Sequence, residues 1–533
     1  MNKPQTLLGA LALLAALVAA PLAYASDTSA ADESSAELWV APPPAAAALA
    51  AARAQTRPWR FAVALPAGLD PARAGHWSEE GAERVWRMRL HSPGADSLSL
   101  HFDRWAVPAG TALWLHEPVS GQRQGPYGAD HNARGQLWTA LLPGDTVDVE
   151  LRLPRQAPAP QIRLASLQHG FRSADAQQGF ATKAAGDCNI DVACPEAADY
   201  SEEVRATVLI QFNGGSTCSG QLVNNTAQDF DPLLLTAAHC GIDASNADSV
   251  IAYFNYQRSQ CERGGNRSEF APDFQQSISG VEWLASLSES DFTLLRLGSS
   301  AEPAVIPPEW RAYWAGWTRR ETAAARGASI HHPRGDPKSI ALFSSPLEAM
   351  LVCSTDSAIQ ERPSTCPNAQ VPNGEWVDVW RVVWSQGTTE PGSSGGAIYA
   401  EDGLIRGMLF GGSASCGSQS APDYYGRFSS SWDCAPEDFR QLRPWLDPQG
   451  LNPEALFGRS QFSGAAGVVN PGTTTNFANC PPISGAEPPP TPPPTSPPPL
   501  GGGGSSGSGA PGWGWLALLA VTVLSRRRVA MRR

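Results

Sequence analysis

Strict alternation of apolar and polar residues marks several stretches between residues 86 and 153. Their apolar members are Trp86, Met88 and Leu90; Leu98, Leu100 and Phe102; and Val147, Val149, Leu151 and Leu153. A period of two places one set of side chains on one face of a strand, and Pro-Gly pairs at 93–94 and 143–144 supply turns. The pattern predicts a half-buried antiparallel sheet, and we interpret residues 57 to 165 as a small β-sandwich without cysteines.

The pattern changes after a polar, Gly/Ala-rich linker at residues 166 to 187. Short β-branched and aromatic runs follow at 207–212, 250–256, 292–297 and 404–410, separated by glycine and proline turns. About 260 residues of such short strands predict an all-β barrel or a pair of sandwiches. Residues 450 to 487 show little periodicity, which predicts an appended and loosely structured extension.

The N-terminus has the features of a secretory signal peptide at residues 1–25. A lysine at position 3 is followed by an apolar run at 7–22 and by Ala23-Tyr24-Ala25. A basic start, a short apolar segment and an Ala-x-Ala site predict cleavage by signal peptidase after Ala25. The mature chain is therefore expected to meet an oxidising compartment, with a mobile Ala/Pro-rich leader from residue 26 to about 54.

The C-terminal tail combines a Pro-rich and Gly/Ser-rich linker at 488–512 with a short apolar segment and an Arg-rich end at 513–533. The apolar part runs only from 513 to 524, whereas a stable membrane span needs about 20 residues. The tail resembles the GlyGly-CTERM sorting tails of Gram-negative bacteria. That resemblance implies transient membrane contact and removal by a rhomboid-type sorting protease; a plain weak membrane tail is the alternative.

The net charge and the cysteine content argue against two further classes, the nucleic-acid-binding and the zinc-binding proteins. The formal net charge is -12, and no block of basic residues precedes the extreme C-terminus, which argues against nucleic-acid binding. All ten cysteines follow residue 187 and none forms a Cys-x-x-Cys pair. This distribution favours structural disulfides over a zinc site, and no cofactor or metal is expected.

Candidate chemistry is concentrated first at Ser394, within Thr-Glu-Pro-Gly-Ser-Ser-Gly-Gly at 389–396. A serine among glycines before an apolar segment suits a tight turn that exposes the hydroxyl and gathers backbone N–H groups. The same composition is common in ordinary loops, so a nucleophile also requires a base and an orienting acid elsewhere. His239 follows the apolar run 233–238, and Asp291 precedes the apolar run 292–295.

Each of these two residues alone is typical of a core histidine or a turn acid. Together, the segments 236–240, 291–295 and 392–396 resemble the catalytic segments of the chymotrypsin-like serine proteases, in the same His, Asp, Ser order. Further stretches at 188–195, 222–226, 254–257, 314–317, 330–333 and 389–395 resemble the bacterial lysyl endopeptidases. The resemblance covers about 184 to 449. It implies a chymotrypsin-like double six-stranded β-barrel protease domain at 184–449, preceded by a β-rich propeptide at 26–183.

The resemblance assigns roles to individual residues. Ser394 is the expected nucleophile, His239 the general base and acid, and Asp291 the orienting carboxylate. The N–H groups of Gly392 and Ser394 are expected to form the oxyanion hole. Protein and peptide substrates would be cut through an acyl-enzyme without a metal. The chain's own propeptide is expected to assist folding or to block the cleft.

Specificity needs a charge in the side-chain pocket. Trypsin-like enzymes carry an acid six residues before the serine, but Thr388 stands there and cannot pair with a cation. The lysyl endopeptidase resemblance assigns this role to Asp423, with Glu390 as a second acceptor. It places further substrate contacts at Phe410, Gly411 and Gly412. Phe410 stands where the best-known lysyl endopeptidase has a histidine, so turnover and pH profile are expected to differ.

Lysine is rare in the chain. Of 39 lysines and arginines only Lys3, Lys183 and Lys338 are lysines, which leaves 36 arginines. A protease that cuts after lysine would be protected from itself, and Lys183 would be its own processing site. A GC-rich genome that favours arginine codons explains the same bias equally well. An enzyme that accepts both arginine and lysine, and a silent surface adhesion module, remain the alternative functions.

Two further expectations follow from the resemblance. Ser393 replaces the aspartate that pairs with a new N-terminal ammonium in many chymotrypsin-like enzymes, so that ion pair cannot form. The family's disulfides match Cys188 with Cys416, Cys194 with Cys261, and Cys218 with Cys240. For the remaining cysteines we expect Cys353 with Cys366 and Cys434 with Cys480.

Overall fold

The computed structural model describes residues 37–131, 134–172, 185–261, 274–355, 358–363, 366, 375–470 and 480–482. The predictions for the signal peptide and its cut at Ala25, for processing at Lys183 and for the tail at 488–533 lie outside these residues. Strands dominate the described chain and helices are few and short, which confirms the mostly-β prediction. None of the helices within the described ranges is long and apolar enough to cross a membrane.

The N-terminal region folds into two packed sheets. One has the order β1-β5-β11-β7-β8 with β4 against β5, and the other has the order β10-β6-β12-β3 with β9 against β6. The elements are β1 Glu37–Val40, α1 Ala46–Ala54, β2 Trp59–Arg60, β3 Ala62–Leu69, β4 His76–Glu80, β5 Glu83–His91, β6 Ser97–Ala106, β7 Ala112–His116, β8 Arg123–Tyr127, β9 Leu137–Trp138, β10 Leu142–Pro143, β11 Thr146–Pro154 and β12 Gln161–Gly170.

The predicted alternation is observed in β5. Met88 and Leu90 are buried in the core between the sheets, while Arg87 and Arg89 on the other face pair with Glu150 and Asp148 of β11. Strand β6 differs, because its serines are buried as well as its leucines. The Ser99 hydroxyl lies 3.5 Å from the Gln211 amide of the following region. The second face of β6 is therefore covered by the rest of the protein rather than by solvent.

The second region contains the remaining elements. They are β13 Ile190–Asp191, α2 Ser201–Ala206, β14 Thr207–Phe212, β15 Ser216–Leu222, β16 Leu233–Thr236, β17 Ile251–Tyr253, β18 Ser277–Ser279, β19 Val281–Leu287, β20 Phe292–Leu297, β21 Tyr313–Trp314, β22 Trp317–Thr318, β23 Gly327–His331, β24 Ser339–Phe343, β25 Glu348–Ser354, β26 Ile359–Glu361, β27 Glu375–Val382, β28 Ala397–Ala400, β29 Ile405–Gly412, β30 Asp423–Arg427, α3 Phe428–Asp433, α4 Arg443–Leu446, β31 Ala455–Leu456, β32 Arg459–Ser460 and β33 Val468–Val469.

These strands form two large sheets. The first follows the order β18-β17-β14-β15-β16-β20-β19, and the second follows β13-β24-β23-β28-β29-β30-β27-β25-β26. One apolar cluster joins them, with Leu235 and Leu294 from the first sheet packed with Ile330 and Ile405 from the second. Side chains at the ends of strands from both sheets therefore lie over a shared, rigid core.

The prediction of a loose extension at 450–487 is wrong for residues 455–469. Strand β31 pairs with β22, and β33 pairs with β31, so this segment continues the second sheet. Ala455 and Leu456 are fully buried. Strands of two residues show no periodicity, and their partners are distant in sequence, so the pattern along the chain could not reveal them.

Candidate active site

His239 and Asp291 are held at the ends of two paired strands. Strands β16 and β20 run antiparallel with Thr236 opposite Thr293, so the residues just beyond them meet at one edge. The disulfide between Cys218 and Cys240 fixes the turn that carries His239. Asp291 adopts a left-handed backbone conformation, with φ of +52°, which directs its side chain back toward that turn.

A continuous hydrogen-bonded chain joins three of the predicted site residues. The backbone N–H of His239 donates to Asp291 Oδ1 at 2.9 Å, and Nδ1 of the ring lies 2.9 Å from Asp291 Oδ2. On the other side of the ring, Nε2 lies 2.8 Å from Ser394 Oγ. Since the carboxylate accepts the Nδ1 proton, Nε2 is left as the acceptor for the serine hydroxyl. This arrangement can transfer a proton away from Ser394 as its oxygen attacks.

The loop that carries Ser394 depends on glycines. Gly395 has φ of +81°, and a Cβ there would lie 2.2 Å from Thr236 Oγ1 and 2.4 Å from Ser219 O. The close approach lets Ser219 N donate to Ser394 O at 2.8 Å, and Ser219 Oγ donate to Gly392 O at 3.0 Å. The nucleophile loop is thus fastened directly to strand β15.

The two N–H groups expected to form the oxyanion hole remain open. Within the described part of the chain, the N–H groups of Gly392 and Ser394 donate to no other protein group. Gly392 has φ of +97°, a conformation that favours glycine. Two adjacent free donors beside a serine hydroxyl can bind an oxygen that gains negative charge.

Ser393 is uncharged and stands at the position where many chymotrypsin-like enzymes have an aspartate. Its hydroxyl accepts the N–H of Glu390 at 3.2 Å and lies 2.8 Å from His331 Nδ1. Burial lowers the pKa of His331 to about 3, so the ring is neutral, and a backbone hydrogen bond with Thr388 opposes this shift. The sequence reasoning missed this partner, although His331 lies in one of the stretches that resemble lysyl endopeptidases.

Asp423 lies at the end of the second sheet and is almost fully buried, with 1% of its surface exposed. Its Oδ2 accepts from Trp384 Nε1 at 2.7 Å and from Thr389 Oγ1 at 2.6 Å, and its Oδ1 accepts from Ala414 N at 3.3 Å. Burial raises the pKa of Asp423 to about 6, and these donors oppose the shift. Among the described residues, no cation pairs with this carboxylate.

Gly412 and Gly411 end strand β29 beside this carboxylate. Gly412 lies opposite Asp423 in the sheet, and a Cβ on it would lie 2.1 Å from Asp423 Oδ1. The preceding residue, Phe410, packs its ring edge-on against the His239 ring, with 5.8 Å between ring centres. The structure therefore brings the expected substrate-contacting segment between the histidine and the buried acid.

Glu390 does not fit the expected role of a second substrate acceptor. Its Oε2 accepts from Gly186 N at 2.7 Å and from Asn189 Nδ2 at 2.9 Å. Its Oε1 pairs with Arg334 Nη2 at 2.9 Å. The carboxylate is thus engaged by the start of the protease region and by an arginine, and a substrate ammonium would have to displace them. Thr388, in the trypsin-type acid position, is fully buried and uncharged.

Five disulfides cross-link the second region. The pairs are Cys188–Cys416, Cys194–Cys261, Cys218–Cys240, Cys353–Cys366 and Cys434–Cys480. They are the pairs expected from the sequence. No cysteine within the described ranges is free, which fits an oxidising destination.

Part of the chain is similar in sequence to known endopeptidases. Residues 182–426 match the family model described as lysyl endopeptidase, C-terminal domain. The chain is 27% identical over 364 residues to a lysyl endopeptidase from Pseudomonas aeruginosa, a match that spans 64% of this chain and 69% of the relative.

Two solved protease structures are similar to part of the chain. The active form of the Rv3671c protease from M. tuberculosis has 14% identity and a TM-score of 0.28, covering 45% of this chain and 83% of that one. The HtrA-type protease AlgW with a tripeptide has 15% identity and a TM-score of 0.28, covering 44% and 60%.

The hydrogen-bonded site and the sequence matches together define the class of this protein. It is a serine endopeptidase, which acts on protein or peptide substrates. Within that class, the region after the sandwich is similar to the lysyl endopeptidases.

Proposed function

We propose that this chain is the precursor of a secreted endopeptidase that hydrolyses peptide bonds on the C-terminal side of lysine. Ser394 acts as nucleophile, His239 as general base and then acid, and Asp291 as the carboxylate that orients the imidazole. The observation that carries the proposal is the unbroken chain from Asp291 through His239 to Ser394, with contacts of 2.9 and 2.8 Å.

The reaction follows from this geometry in two stages. Ser394 Oγ attacks the substrate carbonyl while His239 Nε2 takes its proton, and the new oxyanion accepts the N–H groups of Gly392 and Ser394. His239 then protonates the leaving amine, which departs and leaves an acyl-enzyme. Water, deprotonated by the same nitrogen, releases the acid product. Loss of one oxyanion donor typically costs about 3 kcal/mol of transition-state stabilisation.

Lysine specificity is assigned to Asp423. The Oδ2 atom of this carboxylate is already engaged by Trp384 and Thr389, and its Oδ1 atom by Ala414 N. A guanidinium is best bound by two parallel hydrogen bonds to a free carboxylate edge, whereas an ammonium is a compact charge that one remaining lone pair satisfies. The arrangement therefore favours lysine over arginine.

The position of Lys338 supports the same substrate. This is the single lysine within the described ranges, and it is fully buried, with Nζ donating to Val204 O at 2.6 Å. A lysine-cutting enzyme could not reach it in the folded state. The proposed cut after Lys183 would release residues 1–183 and leave Ala184 as the first residue of the mature enzyme.

Cleavage mapping tests the proposal. The secreted protein would be incubated with an unfolded protein substrate rich in both lysine and arginine, and the products identified by mass spectrometry. We expect new C-termini at lysine, and a mature N-terminus at Ala184 by N-terminal sequencing. Equal cleavage after arginine would favour the dual-specificity enzyme, and no cleavage by folded protein would favour the silent adhesion module.

A further inference from the structure

A short segment of the N-terminal region enters the proposed active-site cleft. We call residues 55–60, which connect α1 to the first sheet strands, the arm. Arg57 Nη2 donates to the backbone oxygen of Phe410 at 2.8 Å, and its guanidinium carbon lies 4.9 Å from the centre of the Phe410 ring. Because the same ring packs against His239, the arm lies next to the proposed catalytic imidazole.

The other end of the arm is held by strand β15. Strand β2 pairs antiparallel with β15, with Trp59 opposite Thr217 and Arg60 opposite Ser216. Two residues further along β15, Ser219 N donates to Ser394 O. The arm therefore spans from β29 to β15, and its two attachments lie on strands that both contact the site around Ser394.

Trp59 anchors the arm next to the cleft. It is buried, and the guanidinium of Arg172 lies 3.6 Å from its ring centre. Arg334 lies 5.7 Å from the same ring, and also pairs with Glu390 of the nucleophile loop. Immediately after the arm, Phe61 N donates to Gly215 O at 2.7 Å. These contacts fix the backbone on which Arg57 is presented.

The surroundings of the Arg57 head group suit a cation. A carbonyl oxygen and the face of an aromatic ring both attract a guanidinium. Gly411 leaves room for it, since a Cβ there would lie 3.3 Å from Nη1. Packing around the head group lowers the pKa of Arg57 and the Asp291 carboxylate opposes that shift, although the residue as a whole remains exposed.

We propose that Phe410 and Gly411 form a subsite for an arginine side chain, and that Arg57 fills this subsite and keeps the cleft closed until the propeptide leaves. The inference rests on the proposed function in one respect, which is that this cleft binds the substrate. Arginine suits the role because the proposed enzyme cuts after lysine, and because Asp423 accepts its hydrogen bonds within the described residues from Trp384, Thr389 and Ala414 rather than from Arg57. No covalent step is involved.

The first test uses the uncut full chain, kept intact by Lys183→Ala. A fluorophosphonate probe that labels an active-site serine reports access to Ser394 without depending on lysine specificity. Adding Arg57→Ala should raise the labelling rate at least about tenfold, since a charged hydrogen bond and a cation–π contact are lost. Arg60→Ala is the matched control, because the Arg60 side chain bonds to Ala62 O of its own segment. Its labelling rate should stay close to that of the Lys183→Ala chain.

A second measurement guards against local unfolding of the Arg57→Ala chain. A synthetic peptide of residues 50–62, which contains no lysine, is added to the processed enzyme during hydrolysis of a lysyl anilide. We expect competitive inhibition with the peptide recovered intact, and an inhibition constant at least about tenfold weaker for the Arg57→Ala peptide than for the Arg60→Ala peptide. No inhibition, or equal inhibition by the two variant peptides, would overturn the proposal.

The outcomes separate this inference from the proposed function. If the processed enzyme is not labelled, the serine nucleophile itself is wrong. If the processed enzyme is labelled but the Lys183→Ala chain is labelled equally fast with and without Arg57→Ala, the serine mechanism stands and the Arg57 subsite is refuted.

Discussion

The triad region and the proposed specificity pocket are each built around a buried aspartate, but they differ in what accompanies it. Asp291 and Asp423 are both 1% exposed. Asp291 receives the ring N–H of His239, a group that becomes a cation during the proposed reaction. The donors to Asp423 within the described chain are neutral. The proposed triad is therefore fully hydrogen-bonded before substrate binds, whereas the proposed pocket would gain its cation from the substrate.

The largest expected effect comes from breaking the triad side. Ser394→Ala removes the nucleophile and should lower kcat for a lysyl anilide about a million-fold. The neighbouring Ser393→Ala is the matched control, because it removes only the hydroxyl contacts with His331 and with Glu390 N and should cost less than about a hundredfold. Lysyl hydrolysis that survives Ser394→Ala would remove the mechanism.

The next effect comes from the pocket side. Asp423→Asn keeps one oxygen that can accept from Trp384 and Thr389, but it removes the charge and the acceptor for Ala414 N, so kcat/KM for a lysyl anilide should fall roughly a hundred- to a thousandfold. The rate at which a fluorophosphonate labels Ser394 should change less than about threefold, since the triad is untouched. A parallel loss of labelling would show that the two regions are not separable.

A pH titration sharpens the comparison. The raised pKa of Asp423, about 6, means that its carboxyl group takes up a proton as pH falls through that value and the pocket loses its charge. The ratio of kcat/KM for lysyl over norleucyl anilide should fall below pH 6, because norleucine lacks the ammonium and the shared triad cancels. A ratio that stays constant down to pH 4, or that falls equally in Asp423→Asn, would contradict this assignment.

Stability should change with pH in the opposite direction to the lysyl preference. A carboxyl group with a raised folded-state pKa binds protons more tightly in the folded than in the unfolded state. Its burial therefore costs stability above pH 6, and that cost is relieved as pH falls from about 6 toward its unfolded value near 4. Asp423→Asn should flatten this part of the stability profile, as measured by urea unfolding across the same range.

The smallest expected effect on activity comes from removing a disulfide that lies away from the proposed triad. The Cys218–Cys240 bond fixes the turn of His239, whereas the Cys353–Cys366 bond links strand β25 to a cysteine 13 residues further along the chain. Replacing Cys353 and Cys366 by serine should lower the free energy of unfolding by about 3 kcal/mol and change kcat/KM less than about twofold. The matched Cys218 and Cys240 replacement should lower kcat as well, as steady-state kinetics would show.

The sequence predicted the residues of the site better than the contacts among them. His239, Asp291 and Ser394 each stand in a contiguous segment with a recognisable pattern, and the structure brings them together. Trp384 and Thr389 were missed as donors to Asp423, because a hydrogen bond across the sheet leaves no mark on either local segment. Glu390 was assigned by likeness alone, and its actual partners lie some 200 residues earlier, at Gly186 and Asn189.

The fold could be predicted where the pattern lies within a single strand, and it could not be predicted where it depends on partners distant in sequence. Alternation in β5 and β11 revealed the sandwich because one face of each strand is apolar. The burial of both faces of β6, and the incorporation of β31 and β33 into the second sheet, depend on partners distant in sequence. The arm was also invisible, since nothing in Arg57-Pro58-Trp59-Arg60 distinguishes a segment that enters a cleft from an ordinary connection.

The ratio of kcat/KM for paired lysyl and arginyl anilides, measured with the processed enzyme, tests the central claim most directly. The pocket geometry around Asp423 predicts that lysine is favoured by at least about a hundredfold, and that Asp423→Asn abolishes most of this preference. Equal rates for the two anilides would contradict the account. The hydrogen bonds from Trp384 and Thr389 to Asp423 are proposed to leave a lone pair for an ammonium but no free carboxylate edge for a guanidinium.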